Sequence, residues 1–496
     1  MAYVGYEHLR ESLRLTALPV ARPAQVRSVT RVESTDTHLA IPRHVAPASE
    51  HPLDHLLFAF KHEGMNLAIA CEALRNINPS DLIAQLQVSP NGAYIRKACY
   101  LWEQFAGRHL EGLPEVGGPT EPVFDPDRYV TIGEVKRDRR WRVAFNGLGT
   151  VRYCATVERT PMVQAGMASD VMGRAIDFAK RLSKPTLDRA LAWAYLSETE
   201  DSFAIEREKP SADKAEAFVQ LLKQAHQARP LSEEYLVDLQ NSVVTNPMVR
   251  EVQFRVEQNW LRGPARGALG ITYVPPAPAL ADELMNELMA VANHLPQKVD
   301  PVIAAAIASF GFVFIHPFMD GNGRLSRFLF HHAMCLSGAL PDGLLLPVSV
   351  AMKRHEDDYL TTLQSFSKPA RARWKVRWIS DADYEFSFDA SSALYRYWDA
   401  TACVEFSYRM AEQALEHDLR GETLFLTQYD RVLRTVNERY DIPGKDIATI
   451  LMGAFDQHGT ISKARRRRFE HLIPGEALDF IEAAVRKSMA TDDGAD

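Results

Sequence analysis

The chain has 496 residues, more than one hydrophobic core usually organises, so we expect more than one domain. Hydrophobic residues make up 46% of the chain and charged residues 24%, which is the balance of a folded globular protein and excludes a disordered one. The formal net charge of −7 excludes a general electrostatic attraction to nucleic acid.

The N-terminal third changes character twice along the chain. Residues 1–50 mix Arg, Pro, Thr and Ser with little periodicity, which predicts an extended or poorly ordered arm. Apolar residues then recur at helical spacing, and residues 51–118 are predicted to be an N-terminal helical module. β-Forming runs surround Asn146-Gly147, a typical hairpin turn, so a small antiparallel β segment is predicted over 119–165.

The remainder of the chain is predicted to be helical, in two parts, 170–375 and 395–490. Within the first part, a Gly/Pro-rich loop with a short strand covers 262–276 and precedes a helix over 279–294. The uncharged stretch that starts at Pro301 approaches the length of a membrane span, but Gly311 and Pro317 interrupt it. We therefore predict a buried core helix over 300–315 and no membrane association.

The segment from His316 to Arg327 reads His-Pro-Phe-Met-Asp-Gly-Asn-Gly-Arg-Leu-Ser-Arg and contains a complete set of groups for binding a polyphosphate. Asp320 is a hard oxygen ligand of the kind that Mg²⁺ prefers. Gly321-Asn322-Gly323 predicts a sharp turn that delivers an anion to the N-terminus of the following helix. Arg324 and Arg327 stand three residues apart on one helix face, so both can bind phosphate oxygens.

His316 precedes this loop and has an ordinary pKa suited to a general base near neutrality. The segment is similar at every defined position to the signature of the Fic family, His-Pro-Phe-x-Asp/Glu-Gly-Asn-Gly-Arg-x-x-Arg. The resemblance implies a mainly α fold: an all-helical Fic core with a small β-hairpin flap, here placed at 262–276. Beside this core we expect the small antiparallel β segment and the helical accessory modules.

The resemblance also implies a function, transfer of AMP from ATP to a Ser, Thr or Tyr hydroxyl of a target protein. His316 would then take the hydroxyl proton and Asp320 would hold Mg²⁺. Gly321, Asn322 and Gly323 would bind the α- and β-phosphates, with the Asn322 side chain also in reach. In the same assignment, Arg324 neutralises the outgoing pyrophosphate, Arg327 grips the γ-phosphate, and Tyr359 lies on a later helix that borders the nucleotide.

A second segment, Ser202-Phe-Ala-Ile-Glu206, resembles the inhibitory helix of the family, Ser/Thr-x-x-x-Glu-Gly/Asn, except that Arg207 replaces the final Gly/Asn. A glutamate paired with the γ-phosphate arginine would fill the place of that phosphate. The sequence therefore predicts self-inhibition through Glu206. A rival for this role, Glu63-Gly64, lacks the leading Ser/Thr.

Other functions stay open at this point. The same loop could remove AMP from a modified protein or transfer another group such as UMP. The basic run over 463–468 would suit phosphates of DNA, so a DNA-binding regulator with a nucleotide-sensing Fic core is the alternative from another class. A homo-oligomer is also open. Five scattered cysteines without metal-like pairing and a start without a secretion signal predict a cytoplasmic protein.

Overall fold

The computed structural model is mainly α-helical, which confirms the predicted fold class, and it describes residues 2–133, 135–227, 229–244, 246–380 and 383–492. Its N-terminal module contains five helices: α1 (Gly5–Ser12), α2 (Pro52–His62), α3 (Leu67–Asn76), α4 (Pro79–Val88) and α5 (Ala93–Ala106). Asn66 and Asn78 accept backbone N–H groups at the starts of α3 and α4, so each helix begins at an asparagine cap.

The prediction of an extended or poorly ordered arm over residues 1–50 is wrong. This segment contains α1 and three strands, β1 (Ala24–Arg27), β2 (Glu33–Ser34) and β3 (Leu39–Pro42), in the order β1-β3-β2. Tyr6 and Leu9 of α1 are fully buried against the rest of the module. Because α1 is held by contacts with residues 57 and 58 positions away, local periodicity could not indicate it.

The antiparallel β segment predicted over 119–165 is only partly present. Short strands form two small sheets. One is mixed and contains β4 (Glu121–Pro122), β5 (Arg137–Asp138) and β6 (Val143–Ala144), and the other contains the antiparallel pair β7 (Leu148–Gly149) and β8 (Cys154–Thr156), with a later strand parallel to β8. Asn146-Gly147 lies between the two sheets and joins no hairpin. The Asn146 side chain instead accepts the Phe124 N–H at 2.9 Å and donates to the Phe124 carbonyl at 2.8 Å.

The helices that follow form the largest core of the protein. They are α6 (Pro161–Ser169), α7 (Val171–Arg181), α8 (Lys184–Ile205), α9 (Ala212–Gln224), α10 (Glu233–Val243), α11 (Pro278–His294), α12 (Pro301–Ile315), α13 (Asn322–Leu336), α14 (Val348–Arg354) and α15 (Glu356–Arg371). Between α10 and α11, β9 (Leu261–Arg262) and β10 (Ile271–Tyr273) pair in antiparallel fashion, in the place predicted for the flap.

Helix α12 is the centre of this core, as predicted. Asp300 caps its N-terminus by accepting the Val302 N–H at 2.9 Å, and Pro301 occupies the first turn, where no N–H is needed. Nearly every residue of α12 is buried, against α11, α13 and a later helix, α17 (Thr401–Gln413). In the described part of the chain, no helix combines the length and the apolar character that a membrane span requires.

The C-terminal part contains β11 (Trp374–Ser380), β12 (Asp383–Phe388), α16 (Ala393–Arg396), β13 (Tyr397–Asp399), α17 (Thr401–Gln413), α18 (Arg420–Asn437), α19 (Gly444–Asp456), α20 (Lys463–Phe469) and α21 (Gly475–Asp492). A π-helical turn, Ala414–Leu419, joins α17 to α18. Since α17 packs on α12, the module predicted over 395–490 has its separate core only from α18 onward.

Candidate active site

The loop between α12 and α13 brings the predicted phosphate-binding groups to one place. His316 ends α12 in the left-handed conformation, with φ of 54°, and Gly321 precedes α13 with φ of 87°. A glycine is favoured at Gly321 because an L side chain is strained at positive φ. The first N–H groups of α13 lack helical partners, so the start of this helix favours negative charge.

The Asn322 side chain does not face a nucleotide, in contrast to the reach predicted for it. Its Oδ1 accepts the Phe318 N–H at 3.0 Å and its Nδ2 donates to the Phe318 carbonyl at 2.8 Å. The side chain is almost fully buried. The Asn322 side chain therefore fixes the shape of the loop, and phosphate binding by its backbone N–H stays a prediction.

Three residues outside the motif hold the loop from the other side, and the sequence did not point to any of them. Arg255 donates from Nε to the carbonyl of His316 at 2.8 Å. Asn259 donates to the carbonyl of Phe318 at 3.0 Å, and Gln240 donates to that of Asp320 at 3.3 Å. All three side chains are buried, so the loop carbonyls are bound by a rigid frame.

His316 is arranged as a neutral base. Its Nδ1 lies 3.1 Å from the Val313 carbonyl, and since a carbonyl only accepts, Nδ1 carries the ring proton and Nε2 keeps its lone pair. Burial lowers the pKa of His316 to about 4, and the nearby Arg255 cation acts in the same direction. The carbonyl of Val313 and the carboxylates of Glu206 and Asp320 oppose this shift only in part.

Asp320 lies at the rim of the loop with its side chain about two-fifths exposed. Its Oδ1 accepts the Gly321 N–H at 2.6 Å and lies 3.3 Å from Nη2 of Arg324. One carboxylate beside a phosphate site is the donor set that Mg²⁺ takes, because this ion completes its octahedron with waters and phosphate oxygens. The residues present therefore fit the predicted metal.

Both motif arginines are buried, with about 1% of each side chain exposed. Arg327 donates from Nε to the Ser202 hydroxyl at 2.9 Å and from Nη2 to the Ser202 carbonyl at 2.7 Å. Arg324 donates from Nη1 to Glu208 at 2.8 Å and to the Val243 carbonyl at 3.0 Å. Its guanidinium also lies 5.1 Å from the ring centre of Phe203. Burial strengthens the interaction of these cations with any anion that replaces their present partners.

The predicted inhibitory segment is the C-terminal end of α8. Residues spaced four apart, Ala190, Ala194, Glu198 and Ser202, form its buried face, which carries Ser202 to Arg327. Glu198 anchors this face, since its carboxylate lies 2.6 Å from Nε2 of His331 on α13 and accepts the Ser349 N–H at 2.7 Å. Nothing in the sequence indicated Glu198, because its partners lie more than 130 residues away.

Helix α8 ends in a Schellman motif. The N–H of Glu208 donates to the Phe203 carbonyl and the N–H of Arg207 donates to the Ala204 carbonyl, both at 3.0 Å. Arg207 adopts the left-handed conformation that this motif requires, with φ of 60°. Glycine and asparagine adopt it most readily, which explains physically why the inhibitory pattern has Gly/Asn at this position.

Glu206 lies over the start of α13. Its Oε1 is 2.9 Å from Nη2 of Arg327, and a Cβ added to Gly323 would lie only 1.9 Å from the same oxygen. A carboxylate thus occupies the first turn of the helix where the resemblance predicts phosphates. Any side chain at Gly323 would displace it.

Tyr359 on α15 is buried beside Arg327 and Phe310, at the edge of this site. Burial raises the pKa of its hydroxyl, while the Arg327 cation acts in the opposite direction. The predicted role of Tyr359 in nucleotide binding stays a prediction.

Glu63, the rival to Glu206, belongs to another part of the molecule. Its Oε1 accepts the Tyr6 N–H at 2.8 Å, so it caps the start of α1. Burial raises the pKa of Glu63 to about 8. The carboxyl is committed to the packing of α1 on α2, which leaves Glu206 as the inhibitory candidate.

The basic run forms α20, and part of its charge is used inside the C-terminal module. Arg466 pairs with Asp479 at 2.7 Å and with Glu482 at 3.3 Å. Arg465 packs over Gly453. DNA binding by this run stays a prediction.

Comparison with known proteins agrees with the motif. Residues 230–334 match the model of the Fic/DOC family. Protein adenylyltransferase Fic of Aedes aegypti is 34% identical over 110 residues, which cover 22% of this chain and 20% of that protein. Protein adenylyltransferase fic-1 of Caenorhabditis elegans is 32% identical over 90 residues, 17% of each chain. The chain thus spans about a fifth of the length of these curated relatives.

Solved structures with which the chain aligns carry the same family name. A Fic domain containing signaling protein from Bacteroides thetaiotaomicron aligns with 53% of this chain and 95% of its own, at 17% identity and a TM-score of 0.38. Fic-1 (aa134–508) from C. elegans covers 52% of this chain and 71% of its own, at 16% identity and a TM-score of 0.34.

Proposed function

We propose that this member of the Fic/DOC family is a protein adenylyltransferase that transfers AMP from ATP to a hydroxyl side chain of a target protein. The observation that carries the proposal is the meeting of three features at one place. These are the free Nε2 of His316, the N-terminus of α13, and the buried guanidiniums of Arg324 and Arg327. The names of the curated relatives support the same activity.

In this reaction, the hydroxyl oxygen of the target attacks the α-phosphorus, and Nε2 of His316 accepts the hydroxyl proton. The bond from the α-phosphorus to the bridging oxygen breaks, and pyrophosphate leaves with that electron pair. AMP becomes esterified to the target. His316 is buried and neutral at physiological pH, so its lone pair is available for this proton transfer.

The phosphates would bind along the start of α13, where N–H groups and the helix dipole favour anions. Arg324 would neutralise the outgoing pyrophosphate and Arg327 would bind the γ-phosphate. Mg²⁺ on Asp320 would supply charge neutralisation between the phosphates. Positioning and electrostatics account for most of the acceleration in this class of reaction, and the rigid frame around the loop provides both.

In the same proposal, the protein is self-inhibited. The Glu206 carboxylate occupies the first turn of α13 and pairs with Arg327. The space for the γ-phosphate and the cation that would bind it are therefore both occupied. Ser202 adds two further acceptors to the same guanidinium. Productive ATP binding then requires the end of α8 to move away.

Labelled nucleotides test the reaction. Wild type and Glu206→Gly are incubated with Mg²⁺ and with ATP, UTP or GTP labelled at the α-phosphate, and with ATP labelled at the γ-phosphate as the control. We expect protein-bound label from α-labelled ATP, more in Glu206→Gly, and none from γ-labelled ATP. Label from UTP or GTP alone would establish transfer of another nucleotide. Label from the γ-phosphate would show phosphoryl transfer and contradict the proposal.

Hydrolytic removal of AMP needs its own substrate. Protein that carries AMP is prepared with Glu206→Gly, repurified and incubated with each variant in the absence of ATP. We expect label to persist with wild type and with Glu206→Gly. If wild type removes AMP rapidly and Glu206→Gly does not, Glu206 acts in hydrolysis and the principal activity is removal of AMP.

A further inference from the structure

A second carboxylate from the end of α8 reaches the second motif arginine. Oε2 of Glu208 lies 2.8 Å from Nη1 of Arg324, while Oε1 of Glu206 lies 2.9 Å from Nη2 of Arg327. Both arginines are almost fully buried, and the glutamate side chains are about one-third exposed. The two pairs therefore cover the two cations of the phosphate site together.

The Schellman motif explains why two alternate residues face the same site. Glu206 is the last residue before the left-handed turn at Arg207, and Glu208 is the first after it. The N–H of Glu208 is fixed to the Phe203 carbonyl at 3.0 Å, which holds the chain in this reversal. Because the same turn fixes both backbones, both carboxylates arrive and leave with the end of α8.

Among the contacts described for Arg324, Glu208 is the one hydrogen-bond acceptor that belongs to the end of α8. The other hydrogen bonds of Arg324 go to the Val243 carbonyl, at 3.0 Å, and to Asp320, at 3.3 Å. Phe203, under the guanidinium, supports it from α8 itself. The contact with Glu208 thus ties the cation assigned to pyrophosphate to the position of the inhibitory helix.

We propose that Glu208 is a second inhibitory carboxylate, which holds Arg324 while Glu206 holds Arg327. The proposal rests on the proposed function, since it concerns the same phosphate site. In this proposal, each glutamate blocks the binding of a different phosphate. Glu206 opposes the γ-phosphate, and Glu208 opposes the phosphate next to it, which ADP also carries.

ADP therefore separates the two carboxylates, because it lacks the γ-phosphate that Arg327 would bind. ADP and ATP are titrated with Mg²⁺ into wild type, Glu206→Gly, Glu208→Gln and Glu208→Ala by calorimetry. Glu200→Gln, at an exposed position on the same helix, is the matched control. Circular dichroism and the melting temperature verify that each variant is folded.

We expect Glu208→Gln and Glu208→Ala to strengthen ADP binding at least about threefold, as for a partly exposed pair to a buried cation. Glu206→Gly should strengthen ATP binding more than ADP binding, because only ATP carries the γ-phosphate that Arg327 would bind. Label transfer by Glu206→Gly/Glu208→Gln should exceed that by Glu206→Gly about threefold. Glu200→Gln should match wild type in both measurements.

Two negative results are distinguishable. If neither Glu208 variant strengthens ADP binding while Glu206→Gly still activates label transfer, the role of Glu208 is overturned and the proposed function stands. If no variant transfers label from ATP, the proposed function itself is overturned.

Discussion

Two helix ends of opposite character meet in this protein. The start of α13 presents unpaired N–H groups and two buried arginines, and the end of α8 presents two glutamates. Each end turns at a left-handed residue, Gly321 in one case and Arg207 in the other. Under the proposed function, the site for a polyphosphate is complementary to a segment of its own chain, and the two arginines that would bind substrate are the ones that bind Glu206 and Glu208.

The two ends differ in how firmly they are held. The loop before α13 is fixed by Arg255, Asn259 and Asn322, all of them buried. The end of α8 is anchored through Glu198 on its buried face, but the carboxylates of Glu206 and Glu208 are partly exposed. We therefore expect α8 to be the end that moves, with the loop as the fixed partner.

The largest expected effect comes from removing the proposed base, His316. In the active Glu206→Gly background, His316→Ala should lower label transfer by about 10²–10⁴-fold, because the attacking hydroxyl loses its base. ATP affinity measured by calorimetry should change little, since His316 does not bind the phosphates. His294→Ala, at an exposed histidine, is the control. Transfer at an undiminished rate would remove His316 from its role.

A smaller effect is expected from a change at Arg207, in the turn that ends α8. Arg207→Gly relieves the cost of a left-handed arginine, about 1 kcal/mol, and so stabilises the inhibited arrangement. The residual label transfer of wild type should fall, by up to about fivefold. Arg207→Ala removes the side chain without relieving the backbone and should cause no such fall. Activation by Arg207→Gly would show that the turn does not support inhibition.

The smallest expected effect concerns pH. Burial lowers the pKa of His316 to about 4, so its neutral form persists above that pH and is lost only as pH falls through about 4. Titration of His316 should therefore change label transfer by Glu206→Gly less than about twofold between pH 8 and pH 6. The rates are measured in one buffer system at constant ionic strength. A decline centred near pH 6.5, the ordinary value for histidine, would contradict the buried neutral base.

The loop between α12 and α13 could be predicted from sequence because its groups are contiguous. A single stretch contains His316, Asp320, the turn and both arginines, and the apolar run before it indicated α12. The flap was also correctly placed, since its Gly/Pro-rich loop is local. In each of these cases, residues near in sequence determine the structure.

The features of the fold and of the site that the sequence did not indicate depend on contacts between distant residues. Arg255, Asn259 and Glu198 have their partners some 60 to 150 residues away, and no local pattern marks them. The pairing of β8 with β13 joins Cys154–Thr156 to Tyr397–Asp399. The same limitation explains why α1 was missed and why the Asn146-Gly147 turn was misinterpreted.

The most direct test of the account is the single-turnover rate of label transfer from α-labelled ATP by wild type and by Glu206→Gly, each with and without His316→Ala. Charge-assisted bonds contribute about 1.5–3 kcal/mol when buried, and Glu206 is partly exposed, so the lower value applies. Glu206→Gly should therefore transfer label at least about tenfold faster than wild type, and His316→Ala should lower transfer by about 10²–10⁴-fold in both backgrounds. Equal rates for wild type and Glu206→Gly, with both folded, would contradict the claim that the end of α8 occupies the phosphate site.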